Sequence, residues 1–258
     1  MNESEFKPLA KIFLNQFGFK VHDIEAKDGV QSPDFDVIGK DSRYTIEIKM
    51  KEDDPNEIEK DEEALMKGEL VSKSIPIGPR NRLAGIIRKG VQQIVDHDRK
   101  NETYHIVWVH SAGDDPELHN RRFRSTIFGT EKLFSIRKSN IVTCYYFHNS
   151  AFFSWRDYLD GVILTYLNNT QLCINSLSPR ANEFRKSELT ISMAKGLCDP
   201  EKLEQQSTDI MVADCDIDRK HSDLILKYLT VKYGLDHLQT IPMHQLTGMI
   251  AVSGDDES

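Results

Sequence analysis

The sequence predicts an α/β protein, with a sheet covered by helices on both faces. Two observations carry this expectation. Segments with helical apolar spacing alternate along the chain with short β-branched and aromatic runs, the order that builds such layered folds. At 258 residues, 39% hydrophobic and 29% charged, the chain can also bury a sizeable core, as one large domain or as a domain with an added lobe.

The elements follow in order. Residues 3–17 place Phe6, Leu9, Ile12, Phe13 and Phe17 on one helical stripe, and Gly18 is a natural stop. FKVHDI, 19–24, is a strand, followed by a polar loop up to Pro33 and a β-hairpin over 35–50. The acidic stretch beyond it reads as a short surface helix over 56–68. Pro76, Gly78 and Pro79 punctuate the chain before a longer helix over 81–98. TYHIVWVH, 103–110, is a buried strand, GDDPE a turn, and NIVTCYYF, 140–147, another strand. The second half repeats the theme. An amphipathic helix over 155–168 carries Leu159, Val162, Ile163, Tyr166 and Leu167; strands follow near 171–175 and 208–213, and a helix near 219–233. The acidic tail GDDES reads as a frayed end. There is no internal repeat and no low-complexity linker.

Composition narrows the function classes. No run approaches the roughly 20 apolar residues that span a bilayer. The N-terminus, MNESEFKPLAKIF, is charged and amphipathic and lacks the apolar core of a signal peptide. A cytoplasmic location is therefore expected, with no membrane partner. Cys144, Cys173, Cys198 and Cys215 are too dispersed for a structural zinc site, and the first two lie in apolar runs as small core residues. The formal net charge of -8 discourages a polyanionic partner, but it hides an asymmetry. Residues 52–63 hold eight acids and one lysine, whereas 121–138 hold six basic residues and one acid. Local fields decide whether a phosphate backbone can approach, so nucleic acid remains open.

The hairpin SPDFDVIGKDSRYTIEIKMK, 32–51, gathers acids and a base unusually closely. With Asp41 and Ser42 at the tip of the turn, paired positions sum to 83. Phe35 then faces Ile48 and Val37 faces Ile46, giving a core face. Asp34 faces Lys49 and Asp36 faces Glu47 on the other. Three carboxylates on one face repel each other, and one lysine offsets only part of that. A hard divalent cation resolves the conflict, since Mg²⁺ takes a couple of carboxylates together with waters and phosphate oxygens. A lysine two residues after a metal-binding glutamate projects into the same site, where it can orient or deprotonate an attacking water.

Pro33, Asp34, Glu47, Ile48 and Lys49 resemble the signature of the PD-(D/E)xK nuclease superfamily: Pro-Asp, a spacer, then Glu-x-Lys at the end of a strand. The order of helix, hairpin, helix and strand over about residues 1–110 agrees with the core of that family. The resemblance implies a restriction-endonuclease-like core, over 1–140, with a mixed central sheet flanked by helices. Residues 141–258 are expected to form a C-terminal α/β extension packed on it, or to belong to the same domain. It implies that Asp34, Glu47 and the Ile48 carbonyl hold Mg²⁺ (or Mn²⁺) and that Lys49 assists the water attacking a phosphodiester. It also implies a glutamine on the helix after the hairpin, for which Gln93 is the candidate, with Lys89 four residues earlier on the same helical face. Glu5 on the first helix and Asp36 are accessory candidates, with Glu3 behind Glu5. The long acidic insertion at 52–79 departs from the pattern.

Arg80, Arg82 and Arg88 are the expected phosphate contacts. Phe123, Phe128 and Phe134 within the basic run either stack on bases or belong to the core. The expected function is metal-dependent endonuclease activity, with DNA ahead of RNA, in a setting such as restriction, phage defence or repair. The alternative is an inactive nuclease-fold subunit that binds nucleic acid or serves assembly. A second copy or a partner protein would dock on the C-terminal half.

Overall fold

The computed structural model describes residues 2–25, 31–135, 140–241 and 245–251. Helix α1 (Glu3–Gln16) leads into strands β1 (Lys20–Asp23), β2 (Phe35–Ile38) and β3 (Arg43–Lys51). Then come α2 (Pro55–Met66), β4 (Val71–Ile77), α3 (Asn81–His97), β5 (Tyr104–Ser111), α4 (Pro116–Phe128), β6 (Glu131–Ser135) and β7 (Asn140–Tyr145). After these follow α5 (Ala151–Ser154), β8 (Gly161–Tyr166), β9 (Asn169–Ile174), α6 (Ala181–Phe184), α7 (Glu188–Ser192) and β10 (Leu197–Cys198). The chain continues through α8 (Pro200–Gln206), β11 (Ile210–Val212), α9 (Ser222–Lys232), β12 (Leu238–Thr240) and β13 (Gln245–Ala251).

The expected α/β class holds. A seven-stranded mixed sheet in the order β1-β2-β3-β5-β8-β9-β10 is flanked by helices. Strands β3, β5 and β8 run parallel; β2 pairs antiparallel with β3, and β1 antiparallel with β2. A second sheet orders β11-β7-β6-β12, and β13 pairs with β4. The boundary expected at 140 falls between β6 and β7, which pair with each other. The main sheet also takes β8, β9 and β10 from the second half, so the two halves share their sheets.

Alternation along β3 separates two cores. Tyr44, Ile46 and Ile48 point to one face, where α1 covers them with Phe6, Ala10 and Leu14. Glu47 and Lys49 point to the other, where α3 packs Leu83, Ile87, Val91 and Ile94 against Val107 and Val109 of β5. A capping box secures the start of α1: the Asn2 side chain accepts from the Glu5 amide at 3.0 Å, and the Glu5 carboxylate accepts from the Asn2 amide at 2.9 Å.

The helix expected over 155–168 is not formed. Helix α5 ends at Ser154, and 161–166 is the buried strand β8. Its residues Val162, Ile163 and Leu164 are wholly buried because both faces of the sheet are covered. A continuous apolar run of that kind does not distinguish a central strand from a helix. The basic run is also split, into the second half of α4 and strand β6, with 136–139 outside the described residues. Phe123 and Phe128 are wholly buried and cannot stack on bases. The acidic tail lies outside the described residues too. All four cysteines are free, and Cys144 and Cys173 are buried as expected. Among the described residues no helix is long and apolar enough to cross a membrane.

Candidate active site

The hairpin register differs from the expected one by two residues. Phe35 pairs with Ile46 and Val37 with Tyr44, so paired positions sum to 81 and Lys40 and Asp41 form the tip. A shift of two leaves every side chain on its expected face but changes the partners. The pairing ends at Phe35 and Ile46; just before it the Asp34 amide donates to that same Ile46 carbonyl at 3.1 Å, so the expected pairing of Asp34 with Lys49 is not formed.

A residue far away in the chain contacts this turn. The Glu188 carboxylate, at the start of α7, accepts a hydrogen bond from the Asp41 amide at 2.7 Å. It also lies against Gly39, where a Cβ would approach Glu188 Oε2 to 2.4 Å. A side chain at Gly39 would displace this carboxylate from the turn.

Asp34, Glu47, Lys49 and Gln93 meet at one place. Lys49 Nζ donates to Glu47 Oε1 and, at 2.8 Å, to Gln93 Oε1. Gln93 Nε2 in turn reaches the Ser32 carbonyl at 3.3 Å, which ties α3 to the segment entering the hairpin. Asp34 Oδ2 accepts from the Ile48 amide at 2.8 Å. In a strand the carbonyl of a residue projects to the same side as its amide, so the Ile48 carbonyl is directed toward the Asp34 edge. Gly90 lets α3 come this close: a Cβ there would meet Val107 Cγ2 at 3.1 Å and Glu47 Cγ at 3.4 Å.

Glu47 is 2% exposed, and its Oε2 is buried with no hydrogen-bond partner among the described residues. Burial, followed by repulsion from Asp34, raises its pKa to about 7, against an opposing pull from Lys49. These features suit a hard cation. The donors are oxygens, two carboxylates are in mutual repulsion, and a buried lone pair lacks a partner. Among the described residues no group of three or more His, Cys, Asp and Glu side chains is placed to hold a metal. The site supplies two carboxylates, in line with the small number that Mg²⁺ takes from proteins.

One participant was not legible in the sequence. Lys7 of α1 reaches Asp34 Oδ1 at 2.6 Å and Glu3 at 3.0 Å. Burial opposes its charge, but the bonds to Asp34 and Glu3 outweigh that, and its pKa is raised. Its spacing of four from Glu3 reads as an ordinary helix-surface pair, which gives no hint of a reach to another element.

The remaining candidates lie elsewhere. The Glu5 carboxylate serves the capping box, and it is Glu3, through Lys7, that connects α1 to the site. Asp36 is held by Arg43 at 2.9 Å, one pleat nearer the turn. Lys89 and Arg88 are exposed on α3. Arg80 and Arg82 stand at the start of α3, beyond the end of β3, beside Lys51 and Arg122. No family model, no curated protein and no solved structure matches the chain.

Proposed function

We propose that this protein is a metal-dependent phosphodiesterase acting on nucleic acid, with a restriction-endonuclease-like fold similar to that of the PD-(D/E)xK nucleases. The observation that carries this reading is the convergence of Asp34, Glu47, Lys49 and Gln93 around a buried carboxylate oxygen with no partner. Asp34, Glu47 and the Ile48 carbonyl would hold Mg²⁺ or Mn²⁺. Such an ion, when bound, lowers the pKa of water and offsets the charge that builds on phosphoryl oxygens.

The side chains have separable tasks. Lys49, anchored between Glu47 and Gln93, is placed to hold or move a proton of the attacking water. Gln93, fixed by the Ser32 carbonyl, keeps Lys49 Nζ aimed at the carboxylates. Lys7 orients Asp34 and neutralises part of its charge.

The test is incubation with plasmid, single-stranded DNA and RNA, each with and without Mg²⁺ or Mn²⁺. Cleavage that requires the metal and falls by roughly 10²–10⁴-fold in Lys49→Ala is the expected result. Equal cleavage by Lys49→Ala, or none of any substrate, overturns the reading. A second reading, a nuclease-fold subunit that binds without cutting, draws support from Lys7, whose ammonium already occupies Asp34 Oδ1. Calorimetric titration with Mn²⁺ separates the two: an active centre binds the ion and loses it in Asp34→Asn.

A further inference from the structure

Beyond the end of β3 lies a cavity of about 480 Å³ into which Lys51, Arg80, Arg82 and Arg122 converge. They come from three elements: the last residue of β3, the start of α3, and the middle of α4. Three carboxylates, Asp53, Asp54 and Glu57, line the same cavity against these four basic side chains, and Asp53 and Asp54 are already engaged. Asp53 accepts from His119 at 2.6 Å and from the Asp114 amide at 2.7 Å. Asp54 caps α2 through the Asn56 amide at 3.2 Å and stands 3.8 Å from Arg82. Glu57 is an exposed first-turn residue of α2 that only draws on Arg122 at a distance.

Arg122 is left short. Its Nε is buried with no hydrogen-bond partner among the described residues. Burial, and then repulsion from Arg80, hold its guanidinium below the usual range. A half-buried cation with an unmet donor costs free energy unless an anion completes it. The 17-residue helix α3 adds to this field, because no side chain caps its N-terminus at Arg80, and Asn81 and Leu83 of its first turn line the same cavity.

Position gives the anion a chemical identity. Lys51 follows Lys49 by two residues on the same face of β3, which places it about 6.6 Å further along the strand. Phosphates of one nucleic-acid strand advance by about 3.4 Å each along the helix axis. We propose that this cavity seats a phosphate group of the nucleic acid one or two nucleotides from the bond facing Lys49, with Arg122, Arg80 and Lys51 as its ligands. The location relative to a cut bond rests on the function proposed above; the anion seat itself does not.

The experiment is calorimetric titration of the metal-free protein with inorganic phosphate at matched ionic strength, for the wild type, Arg122→Gln, Arg80→Gln and Lys49→Ala. Each arginine variant should weaken binding by about tenfold or more, while Lys49→Ala binds as the wild type does. Arg80 opens its helix and is only partly buried, so Arg80→Gln decides the matter if Arg122→Gln shifts thermal unfolding. Absence of phosphate binding, or binding retained in Arg80→Gln and in a folded Arg122→Gln, overturns the proposal. So does loss of binding in Lys49→Ala alone. A second arm compares one oligonucleotide bearing a 5′-phosphate, a 3′-phosphate or neither. A preference for one end that vanishes in Arg122→Gln assigns a terminal phosphate. Equal affinities, all lowered in Arg122→Gln, assign an internal one. A protein that binds phosphate here but cuts nothing keeps the seat and loses the nuclease reading. A protein that cuts, with Arg122→Gln retaining wild-type KM and phosphate affinity, loses the seat alone.

Discussion

Replacing Glu47 by Gln tests the electrostatics of the site without any substrate. The carboxyl is 2% exposed and titrates near pH 7 in the folded chain, against 4.5 as the ordinary value. A raised pKa favours the protonated form in the fold. Its contribution is complete below about pH 4.5 and is lost as pH rises through 7. A shift of about 2.5 units corresponds to about 3 kcal/mol at 1.36 kcal/mol per unit. Gln cannot ionise and keeps the volume, so Glu47→Gln should match the wild type near pH 5 and exceed it by up to about 3 kcal/mol at pH 8. For a chain of this length that is roughly 6 °C in Tm. The assay is urea unfolding in EDTA at pH 5, 6, 7 and 8. Added Mg²⁺ should then stabilise the wild type at pH 8, through ligand linkage, and leave the variant unchanged. A variant that runs parallel to the wild type over this range, or is less stable at pH 8, refutes the claim that Glu47 is held against its own charge.

Three further outcomes follow from contacts around the site and beneath it. Lys7→Met removes a cation from Asp34 Oδ1; it should lower metal-free stability by about 0.5–1 kcal/mol and tighten Mn²⁺ binding about fivefold, read by denaturation and calorimetry. Weaker Mn²⁺ binding would show that Lys7 shapes the site more than it competes for it. Asp98 accepts from the Thr103 and Glu102 amides and from His105, and its pKa falls to about 2 despite burial. A depressed carboxylate stabilises above about pH 4 and loses that as pH falls through 2, so Asp98→Asn should cost about 2 kcal/mol at pH 7, a deficit that shrinks toward pH 2 in acid titration. Glu188→Gln gives up the charge that holds the Asp41 amide; a loss of about 1–2 kcal/mol in urea unfolding is expected, with weaker Mn²⁺ binding as the hairpin loosens.

The site was legible where it depends on local alternation. Glu47, Lys49 and Lys51 share a face because side chains alternate, whatever the turn. Asp34 and Glu47 were legible as residues on one face of a hairpin, but their cross-strand partners were not, because the turn lies at Lys40 and Asp41, where the Asp41 amide meets Glu188 from 147 residues away. Gln93 was expected from the family resemblance, whereas Lys7 was not, since its reach to Asp34 depends on how α1 crosses the sheet. The same division holds for the fold. α3 and β5 announce themselves by amphipathic spacing and by a β-branched run, and appear within a residue of the expected limits. β8 does not, because apolar residues on both of its faces erase the period that would mark it as a strand.

The place of β5, between β3 and β8, has a practical consequence for anyone seeking a minimal fragment. Shortening the chain to its first 140 residues would strip β5 of its neighbour along Ile106–Ser111 and lay open a row of bare backbone amides and carbonyls. Trp108 would lose the Thr165 hydroxyl that accepts its indole N–H at 3.1 Å, and the hairpin would lose the Glu188 clasp. The residues that resemble a nuclease are held in register by residues that do not, so the excised piece should aggregate by strand pairing before it can present its acids to an ion.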